Sequence, residues 1–416
     1  MERRRIVIAG AGIGGLSCAL SLHATGLRPR IVEAARRLRP VGVGINLLPH
    51  AVAELTALGL GEALAAIAVP TGSMLHTDRH GNRIWSEPRG RAAGHAWPQY
   101  SVHRGELQQL LYDAVRDRLG PDAVRTGLTL ESVGEVGAGP LRIGLRAVAD
   151  GARTEEEADA LIGADGLHSA VRALLHPAEP RLPLWNGIRM WRGTVTAKPF
   201  LDGRTMLVAG SNATAKLVVY PVSRHAERRG EALLNWVAEV RTGEPGPVDG
   251  AAWTRRGAAA DVLAHFGGWR LDALGLDVPA LLSATEEILE YPMVDRDPLP
   301  SWGRDRVTLL GDAAHPMYPI GSNGGSQAVL DARALTRALA DRPDAAGVPE
   351  ALRAYEEERR GPVNALVLAM RDMPADRLLQ AVAERAPEGF DRVEDVLTPE
   401  ELASIDAAYR RTSGPS

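Results

Sequence analysis

The pattern of apolar and polar residues in the first third of the chain predicts strands that alternate with helices. Residues 5–9 form a short β-branched run that fits a buried parallel strand, residues 16–24 have helical spacing, and residues 30–32 form a second apolar run. Further elements are predicted downstream: helices over residues 49–66 and 104–119, a hairpin over 74–85, and strands over 129–148 with a break at 137–140. This order is typical of an α/β domain around a parallel sheet.

The pattern changes between residues 180 and 300. Segments that alternate between apolar and polar positions predict strands of an antiparallel sheet with one face buried, and they lie at residues 187–196, 205–210 and 216–222. Beyond residue 300, a buried strand over residues 306–310 precedes helical patterns at 326–339 and 350–370, and residues from 378 onward are helical and Arg-rich. We therefore expect a second, separate sheet that is joined at both ends to the first domain.

Composition narrows the class of protein. The chain has 416 residues, enough for about two to three domains, and a net charge of −4 that is too small to indicate a nucleic-acid or membrane surface. Its single cysteine, Cys18, excludes a disulfide framework and agrees with a reducing compartment. No apolar run approaches the roughly 20 residues of a membrane span. The basic residues before the first strand imitate a signal peptide, but a glycine turn interrupts the apolar run, so we expect a cytoplasmic protein.

The chain is organised around a glycine turn that follows the first predicted strand. This turn reads Gly10-Ala11-Gly12-Ile13-Gly14-Gly15, and Glu33 ends the second strand. In such a pattern Gly10 permits the tight turn, Gly12 lets the backbone approach a pyrophosphate, and Gly15 lets the helix pack close to the strand. The helix N-terminus attracts phosphate, and a carboxylate at Glu33 can accept from a ribose hydroxyl. Together these features predict a dinucleotide site; the alternative is a glycine-rich turn without a ligand.

Two further predicted strands end at glycine–aspartate corners. Asp165 lies in the stretch Gly163-Ala164-Asp165-Gly166, and Asp312 follows Gly311. An aspartate at the carboxyl end of a strand lies where open α/β sheets bind ligands. For Asp165, capping of the next helix is a reasonable alternative, and both roles can hold together. After Asp312, the glycine-rich residues 319–325 lead into a helix whose N-terminus would face a ligand.

Arg104 opens the predicted helix over residues 104–119. The helix dipole disfavours a positive charge at this end. We therefore interpret Arg104 as a ligand contact rather than a neutral surface position, because the donor fork of a guanidinium suits phosphate oxygens.

These three motifs, in this order and at these spacings, resemble those of the single-component FAD-dependent aromatic hydroxylases, the para-hydroxybenzoate and salicylate hydroxylase group. The resemblance covers about residues 5–375. Within the group the chain most resembles the pyocyanin-forming 5-methylphenazine-1-carboxylate 1-monooxygenases, in stretches that include residues 42–46, 85–90, 98–101, 103–108, 190–193, 200–203 and 291–300. The resemblance is weaker at residues 211–216, 223–230 and 241–285 and in the C-terminal segment.

The resemblance implies an α/β fold with a Rossmann-like FAD-binding domain of the glutathione-reductase type, an interleaved antiparallel-sheet substrate domain and C-terminal helices. The implied FAD-binding domain is discontinuous: it comprises residues 1–180 and 300–375 and includes a small hairpin near residues 74–100. Residues 181–299 would form the mixed-sheet substrate domain, and residues 376–416 a helical segment and a polar tail.

The resemblance also implies a set of FAD-binding residues. The glycine turn would hold the pyrophosphate, Glu33 the adenosine ribose and Asp312 the ribityl chain, while N–H groups of residues 321–325 would lie near flavin N1 and O2. Leu128 would place backbone against the adenine, and Pro319 would border the reactive edge of the flavin. The complete predicted set is Gly10, Gly12, Gly14, Gly15, Glu33, Ala34, Val43, Arg104, Leu128, Asp165, Asp312, Gly321, Asn323, Gly324 and Gly325.

The chemistry implied by the resemblance uses NADH or NADPH and O2. The nicotinamide reduces FAD, and a C4a-hydroperoxyflavin then transfers OH to an electron-rich aromatic carbon. The implied substrate is a phenazine or similar fused heteroaromatic carboxylate of secondary metabolism, hydroxylated with or without loss of CO2. Arg192 and Tyr220 are the candidate substrate contacts. An ion pair on the sheet for Arg192 and a packed strand position for Tyr220 remain alternatives, and no catalytic base is identified.

Other functions remain open at this point. One is hydroxylation of a simple hydroxybenzoate or salicylate; another is a flavin-binding module that senses redox state without turnover. A third, an NAD-dependent dehydrogenase without FAD, is disfavoured by the Gly311-Asp312 element. A Ser/His/Asp hydrolase and a metal enzyme are not expected, because there is no G-x-S-x-G elbow and no clustered metal-ligand spacing. The expected partners are a small aromatic substrate, O2 and NAD(P)H, with no nucleic acid or membrane, and the chain is a monomer or a homodimer.

Overall fold

The computed structural model describes residues 4–38, 42–134, 139–248, 255–342 and 344–404. These residues form a mixed α/β fold, as predicted, in which helices pack against four sheets. The predicted polar tail lies outside the described residues. None of the helices within the described ranges combines the length and the apolar character that a bilayer crossing requires.

The sheet that carries the glycine turn has six strands, in the order β20–β21–β12–β1–β2–β8. All neighbours pair in parallel except β20 and β21, which are antiparallel. Its central strand is buried on both faces, which explains its unbroken apolar run. The bounds are β1 Ile6–Ala9, β2 Arg30–Glu33, β8 Val124–Thr126, β12 Ala160–Gly163, β20 Gly303–Arg304 and β21 Val307–Leu309. The three predicted motif strands, β1, β12 and β21, are therefore neighbours.

The second large sheet has nine strands and holds the region with alternating polarity. Eight follow the order β18–β19–β13–β16–β15–β14–β5–β6, and β17 pairs with β13. Its bounds are β5 Ser73–Thr77, β6 Arg83–Pro88, β13 Leu184–Ala197, β14 Thr205–Gly210, β15 Ala215–Pro221, β16 Ala232–Arg241, β17 Gly246–Pro247, β18 Arg255–Arg256 and β19 Leu289–Asp295. One face packs on a core of its own that contains Trp191, Trp236 and Trp269.

The hairpin β5–β6 belongs to this second sheet, and its predicted place in the first domain is wrong. β5 pairs in parallel with β14, so that Leu75 lies opposite Leu207. The predicted turn itself is present, with Gly81 at φ 84°. The two strands that pair are far apart in sequence, so the local pattern of the hairpin carries no information about its partner sheet.

Two three-stranded antiparallel sheets complete the fold. One consists of β9 Leu128–Val133, β10 Leu141–Ala147 and β11 Arg153–Ala158, in the predicted region; the predicted break at residues 137–138 lies outside the described residues. The other consists of β3 Gly44–Leu47, β4 Val69–Thr71 and β7 Gln99–His103, with β7 in the centre. The sheet β3–β7–β4 lies beside the glycine turn. It holds residues 44–47 in place, since Gly44 pairs with His103.

Most predicted helices are present with small shifts. The predicted helix over residues 49–66 is in fact two helices, because Gly59 takes a left-handed conformation with φ 74° and stops the first one. The bounds are α1 Ile13–Ala24, α2 Pro49–Ala57, α3 Gly61–Ile67, α4 Arg104–Leu119, α5 Ala170–Leu175, α6 Arg224–Arg228, α7 Ala259–Phe266, α8 Val278–Ser283, α9 Asn323–Ala340, α10 Val348–Arg371 and α11 Pro374–Arg385. Helix α9 starts three residues before its predicted start, which places Asn323, Gly324 and Gly325 in its first turn.

Candidate active site

The glycine turn is built so that two of its positions accept only glycine. Gly10 has φ 104°, and a Cβ there would lie 2.3 Å from the carbonyl oxygen of Ala164. A Cβ on Gly15 would lie 2.0 Å from the carbonyl oxygen of Gly10. Both contacts are with backbone that cannot move aside, so these residues set the approach of β1, α1 and β12.

Gly12 differs from both. Its φ of −74° suits any residue, and a Cβ at this position would meet nothing within 4 Å. Open space in front of a glycine at the N-cap of a buried helix is what a pyrophosphate needs to approach the backbone. The turn therefore fits the FAD that the sequence motifs predict.

The carboxylate of Glu33 faces the glycine turn. One oxygen accepts from the N–H of Ala11 at 2.7 Å, and the other from the N–H of Ala35 at 2.7 Å. Ala34, which lies between Glu33 and Ala35 in the chain, is exposed. Glu33 thus holds the turn in place and presents its acid group at the edge where a ribose would lie.

The glycine turn and the two glycine–aspartate corners, together called the three motif corners below, line a single cavity of about 330 Å³. We call it the flavin cavity. The first corner contributes Gly12 and Gly14, the second the backbone on both sides of Asp165, and the third Asp312. The other predicted residues in its wall are Arg104, Arg192, Tyr220, Pro319, Asn323, Gly324 and Gly325. Parallel neighbouring strands end at the same edge of a sheet, which explains why motifs so distant in sequence meet.

Several predicted residues do not line the flavin cavity. The carbonyl of Val43 accepts from the N–H of Arg104 at 3.0 Å and so fixes the start of α4. Leu128 begins β9 and pairs with Ala147. The remaining ones are Gly10, Gly15, Glu33 and Ala34 of the first β-α-β unit, together with Asp165 and Gly321.

The side chain of Asp165 caps helix α5. Its oxygens accept from the hydroxyl of Ser169 at 2.5 Å and from the N–H groups of Ala170 and Val171 at 2.7 and 3.2 Å. Burial raises the pKa of Asp165, and these hydrogen bonds oppose that rise. The capping role that the sequence left open is therefore the one this side chain performs, and its backbone neighbours carry the cavity wall.

Helix α9 points its N-terminus into the flavin cavity. Ser322 precedes it in a left-handed conformation with φ 64°, and the first turn contains Asn323, Gly324 and Gly325. A Cβ on Gly324 would lie 3.8 Å from Oδ1 of Asp312. The N-terminus of α9, with the positive end of its dipole, therefore lies beside this carboxylate, where it can stabilise negative charge on a bound ring system.

A buried ion pair supports the third corner from behind. Nε2 of His315 lies 2.6 Å from Oδ2 of Asp331, and the same oxygen accepts from the N–H of Gly311 at 3.1 Å. Arg359 donates to the other oxygen at 2.8 Å. Burial alone would raise the pKa of Asp331, but His315 and Arg359 outweigh it and lower the pKa. His315 thus holds the turn rather than facing the cavity.

Arg192 and Tyr220 meet at one carbonyl. Nη2 of Arg192 and the hydroxyl of Tyr220 both donate to the carbonyl oxygen of Gly44, each at 2.9 Å. Burial raises the pKa of Tyr220, and the positive charge of Arg192 only partly offsets this rise, so the phenol stays protonated at neutral pH. Nε of Arg192 is buried without a hydrogen-bond partner among the described residues. The predicted alternative of an ion pair for Arg192 is therefore absent from the described residues.

A hydrogen-bond chain extends from Asn46, two residues after Gly44 in β3, across the sheet β3–β7–β4. The hydroxyl of Ser101 donates to Oδ1 of Asn46 at 2.5 Å, and Thr71 and Ser101 share a hydrogen bond of 2.7 Å. All three side chains are buried. The chain fixes Asn46 and, through it, the tyrosine beside Arg192.

A second compartment of about 230 Å³ adjoins the flavin cavity. The two share Arg192, Asp312, Met317 and Pro319, and the second adds apolar and aromatic walls from Met190 and Tyr291. This compartment, called the side compartment below, has Arg192 as the cation in its lining. It can hold a planar anionic ring next to the predicted flavin edge at Pro319.

Sequence reasoning gave no individual role to Asn46 or to Asp331, which pairs with His315, although both support this site. Ser322 lies within the predicted stretch 321–325, but its left-handed conformation before α9 was not foreseen. The polar Asn46 between Ile45 and Leu47 was a usable signal, because an isolated amide on a buried strand needs a partner.

Among the described residues, no group of His, Cys, Asp and Glu is placed to hold a metal ion.

Comparison with known proteins gives a consistent set of relatives. A family model described as FAD binding domain matches residues 3–250 and 283–369. The phenazine 1,6-dicarboxylic acid hydroxylase PhzS of Lysobacter antibioticus is 49% identical over 97% of this chain and 96% of that protein. The salicylate hydroxylase of Pseudomonas putida is 30% identical over 86% of this chain and 82% of that protein.

Solved structures share the architecture. The crystal structure of Klebsiella pneumoniae HpxO complexed with FAD and uric acid is 25% identical, with a TM-score of 0.75 over 99% of this chain and 97% of that one. The three motif corners all lie within the residues that the family model matches.

Proposed function

Because the chain belongs to the FAD-binding-domain family and is a flavin-dependent aromatic monooxygenase, we propose that it hydroxylates a phenazine or similar fused heteroaromatic carboxylate, with NAD(P)H and O2 as co-substrates. The observation that carries this substrate class is the identity to the Lysobacter phenazine 1,6-dicarboxylic acid hydroxylase, which extends over almost the whole of both chains. A dehydrogenase that lacks FAD is excluded by the family.

The residues of the flavin cavity would hold FAD as follows. The turn at Gly12 and the N-terminus of α1 would bind the pyrophosphate, with Arg104 on its other side. Asp312 would accept from the ribityl chain, and the first turn of α9 would face the pyrimidine edge of the ring. When bound, FAD supplies electron transfer from NAD(P)H and activation of O2. The protein contributes position, charge stabilisation and exclusion of water.

Arg192 would bind the carboxylate of the substrate. It is the arginine common to the flavin cavity and the side compartment, and its Nε has no other partner among the described residues. A half-buried guanidinium binds a carboxylate with a charge-assisted hydrogen bond, worth about 1.5–3 kcal/mol. We propose Pro319 as the residue at the flavin edge. Tyr220 does not act as a base in this proposal, because its hydroxyl donates its proton to the Gly44 carbonyl.

The reaction needs no protein base if the ring is already electron-rich. Replacing a ring hydrogen consumes one NAD(P)H, one proton and one O2, and releases water. Replacing a ring carboxylate consumes the same reactants and one further proton, and it releases CO2 as well as water. Both routes place the attacked carbon at the flavin edge while Arg192 holds a carboxylate, and they differ in which carbon lies there.

We further propose the division of the chain into a flavin part, residues 1–180 and 300–375, a substrate part, residues 181–299, and a C-terminal part, residues 376–416. The hairpin β5–β6 is moved to the substrate part because of its pairing with β14.

Turnover with a matched substrate panel tests the proposed function. The FAD-loaded protein is assayed for NADH and NADPH oxidation with phenazine-1-carboxylate, its N-methyl form, phenazine-1-carboxamide, salicylate and para-hydroxybenzoate, and product masses are recorded. We expect the phenazine carboxylates to stimulate oxidation and to yield a hydroxylated product, whose mass shows whether CO2 leaves. Turnover of salicylate or hydroxybenzoate alone would contradict the substrate class. Oxidation that no aromatic compound stimulates would favour a redox-sensing module.

A further inference from the structure

A cavity of about 600 Å³ lies apart from the flavin cavity. Its volume falls within the roughly 300–1,000 Å³ that is typical of small-molecule sites. It shares no lining residue with the flavin cavity or the side compartment. We call it the edge cleft, because it lies at the edge strand β4 and is walled by α2, α3 and the turn Gly90–Ala93.

The walls of the edge cleft are mainly apolar and include two aromatic rings. Trp97 keeps 38% of its surface exposed, although a large apolar side chain is more stable when covered. Tyr100, half-buried, is the second ring in the same lining. Exposed aromatic rings that line a concave surface are typical of sites for flat ligands.

The charges in the edge cleft are mostly positive. Arg89, Arg91 and Arg204 line it, against the single carboxylate of Glu62. Arg89 pairs with Glu87 and Arg204 with Glu227, so these two guanidiniums are already partly neutralised.

Arg91 has no such partner. Within the described ranges it makes no ion pair and no side-chain hydrogen bond, and it is exposed. Arg91, Trp97 and Tyr100 all line the edge cleft. An unpaired guanidinium in a cavity that also presents two aromatic rings favours a ligand that is both planar and anionic.

The edge cleft is also joined to the flavin cavity by hydrogen bonds. Thr71 lies in its wall, and the chain Thr71–Ser101–Asn46 crosses three strands to the wall of the flavin cavity. The two cavities therefore lie at opposite ends of one buried polar chain.

We propose that the edge cleft is a second binding site for a planar aromatic carboxylate, of the same chemical class as the substrate, with its carboxylate on Arg91 and its ring between Trp97 and Tyr100. This inference rests on the proposed function, because it takes its ligand class from it. The site binds and releases the aromatic acid without chemistry, since it contains none of the flavin-binding motifs.

Counting bound molecules tests the second site. Equilibrium dialysis of the FAD-loaded full chain with phenazine-1-carboxylate gives the total bound per flavin, while the change in flavin absorption reports only the molecule beside the ring. Arg91→Gln and Trp97→Ala remove the charge and the ring surface from the edge cleft. Arg256→Gln, which removes an exposed guanidinium in β18, is the matched control. Phenazine-1-carboxamide provides a neutral ligand of the same shape.

We expect two molecules per flavin in the parent protein, with the second weakened about tenfold by Arg91→Gln and by replacement of the carboxylate with the amide. The flavin-reported site and kcat/KM should remain unchanged in Arg91→Gln. A single molecule per flavin, seen equally by both methods, would overturn the second site and leave the proposed function intact. A second molecule that is insensitive to both Arg91→Gln and Trp97→Ala would also overturn it. Absence of all binding would overturn both proposals.

Discussion

Replacing Gly12 with alanine should remove flavin binding without harming the apoprotein. Gly12 has a φ of −74°, which alanine adopts freely, and its Cβ would meet nothing within 4 Å. The unfolded chain loses freedom when glycine becomes alanine, so the apoprotein should be unchanged or more stable by about 0.4–1 kcal/mol. The new methyl group, however, would stand in the flavin cavity, where the pyrophosphate must approach the backbone.

The size of the effect follows from the contact that is lost. A hydrogen bond from a backbone N–H to a charged phosphate contributes about 1.5–3 kcal/mol. Losing one such bond weakens FAD binding by about 10- to 150-fold. Titration of the apoprotein with FAD, followed by quenching of flavin fluorescence, measures this directly, and thermal unfolding of the apoprotein measures the stability.

Gly15→Ala is the matched comparison within the same turn. Its Cβ would lie 2.0 Å from the carbonyl oxygen of Gly10, so the helix must move away from the strand and the apoprotein should lose more than the roughly 1–3 kcal/mol of ordinary overpacking. If Gly12→Ala bound FAD as tightly as the parent protein, the pyrophosphate would not lie at this turn. If it unfolded as early as Gly15→Ala, the open space in front of Gly12 would not exist.

Three further substitutions test other parts of the site. Asp312→Ala, at an exposed carboxylate, should lower the flavin content that survives gel filtration while it changes the free energy of unfolding by no more than about 0.5 kcal/mol; full flavin retention would count against its assignment. Tyr220→Phe removes a donor at the carbonyl shared with Arg192, and we expect a rise of about five- to tenfold in KM for the aromatic carboxylate with kcat within about twofold; an equal rise for the carboxamide would argue against a role in holding Arg192. Asp331→Asn should cost about 3–5 kcal/mol at pH 7 in urea unfolding, because it breaks a buried ion pair. The folded-state pKa of Asp331 is lowered, so its contribution is complete above the unfolded pKa of about 3.9 and is lost as the pH falls through the folded value; a gap between the proteins that stays constant below pH 4 would refute this.

The parts of the fold that sequence reasoning predicted well are those fixed by neighbouring residues. The strand, glycine turn and helix of the first β-α-β unit follow from steric rules at Gly10 and Gly15, which act over a few residues. The start of α4 at Arg104 and the strand β14 were also predicted at their observed bounds. In each case the physical cause lies within the segment itself.

The parts that were missed depend on partners far away in the chain. The sheet membership of β5 is decided by pairing with β14, and Asp331, the missed partner of His315, lies on the next helix. The split between α2 and α3 is a different error: the helical periodicity of residues 49–66 outweighed the signal of Gly59, whose left-handed conformation ends the first helix. The isolated amide of Asn46 was a usable signal, but its partner Ser101 lies on another strand and could not be identified from the local pattern.

The central claim is that three distant corners form one flavin site that oxygenates an aromatic carboxylate. The most direct measurement is turnover of phenazine-1-carboxylate under isotopically labelled O2, with NAD(P)H consumption and product mass recorded together. We expect one labelled oxygen atom in each product molecule and one NAD(P)H consumed for each product molecule formed. Consumption of NAD(P)H that yields only hydrogen peroxide, with no label in any aromatic product, would contradict it.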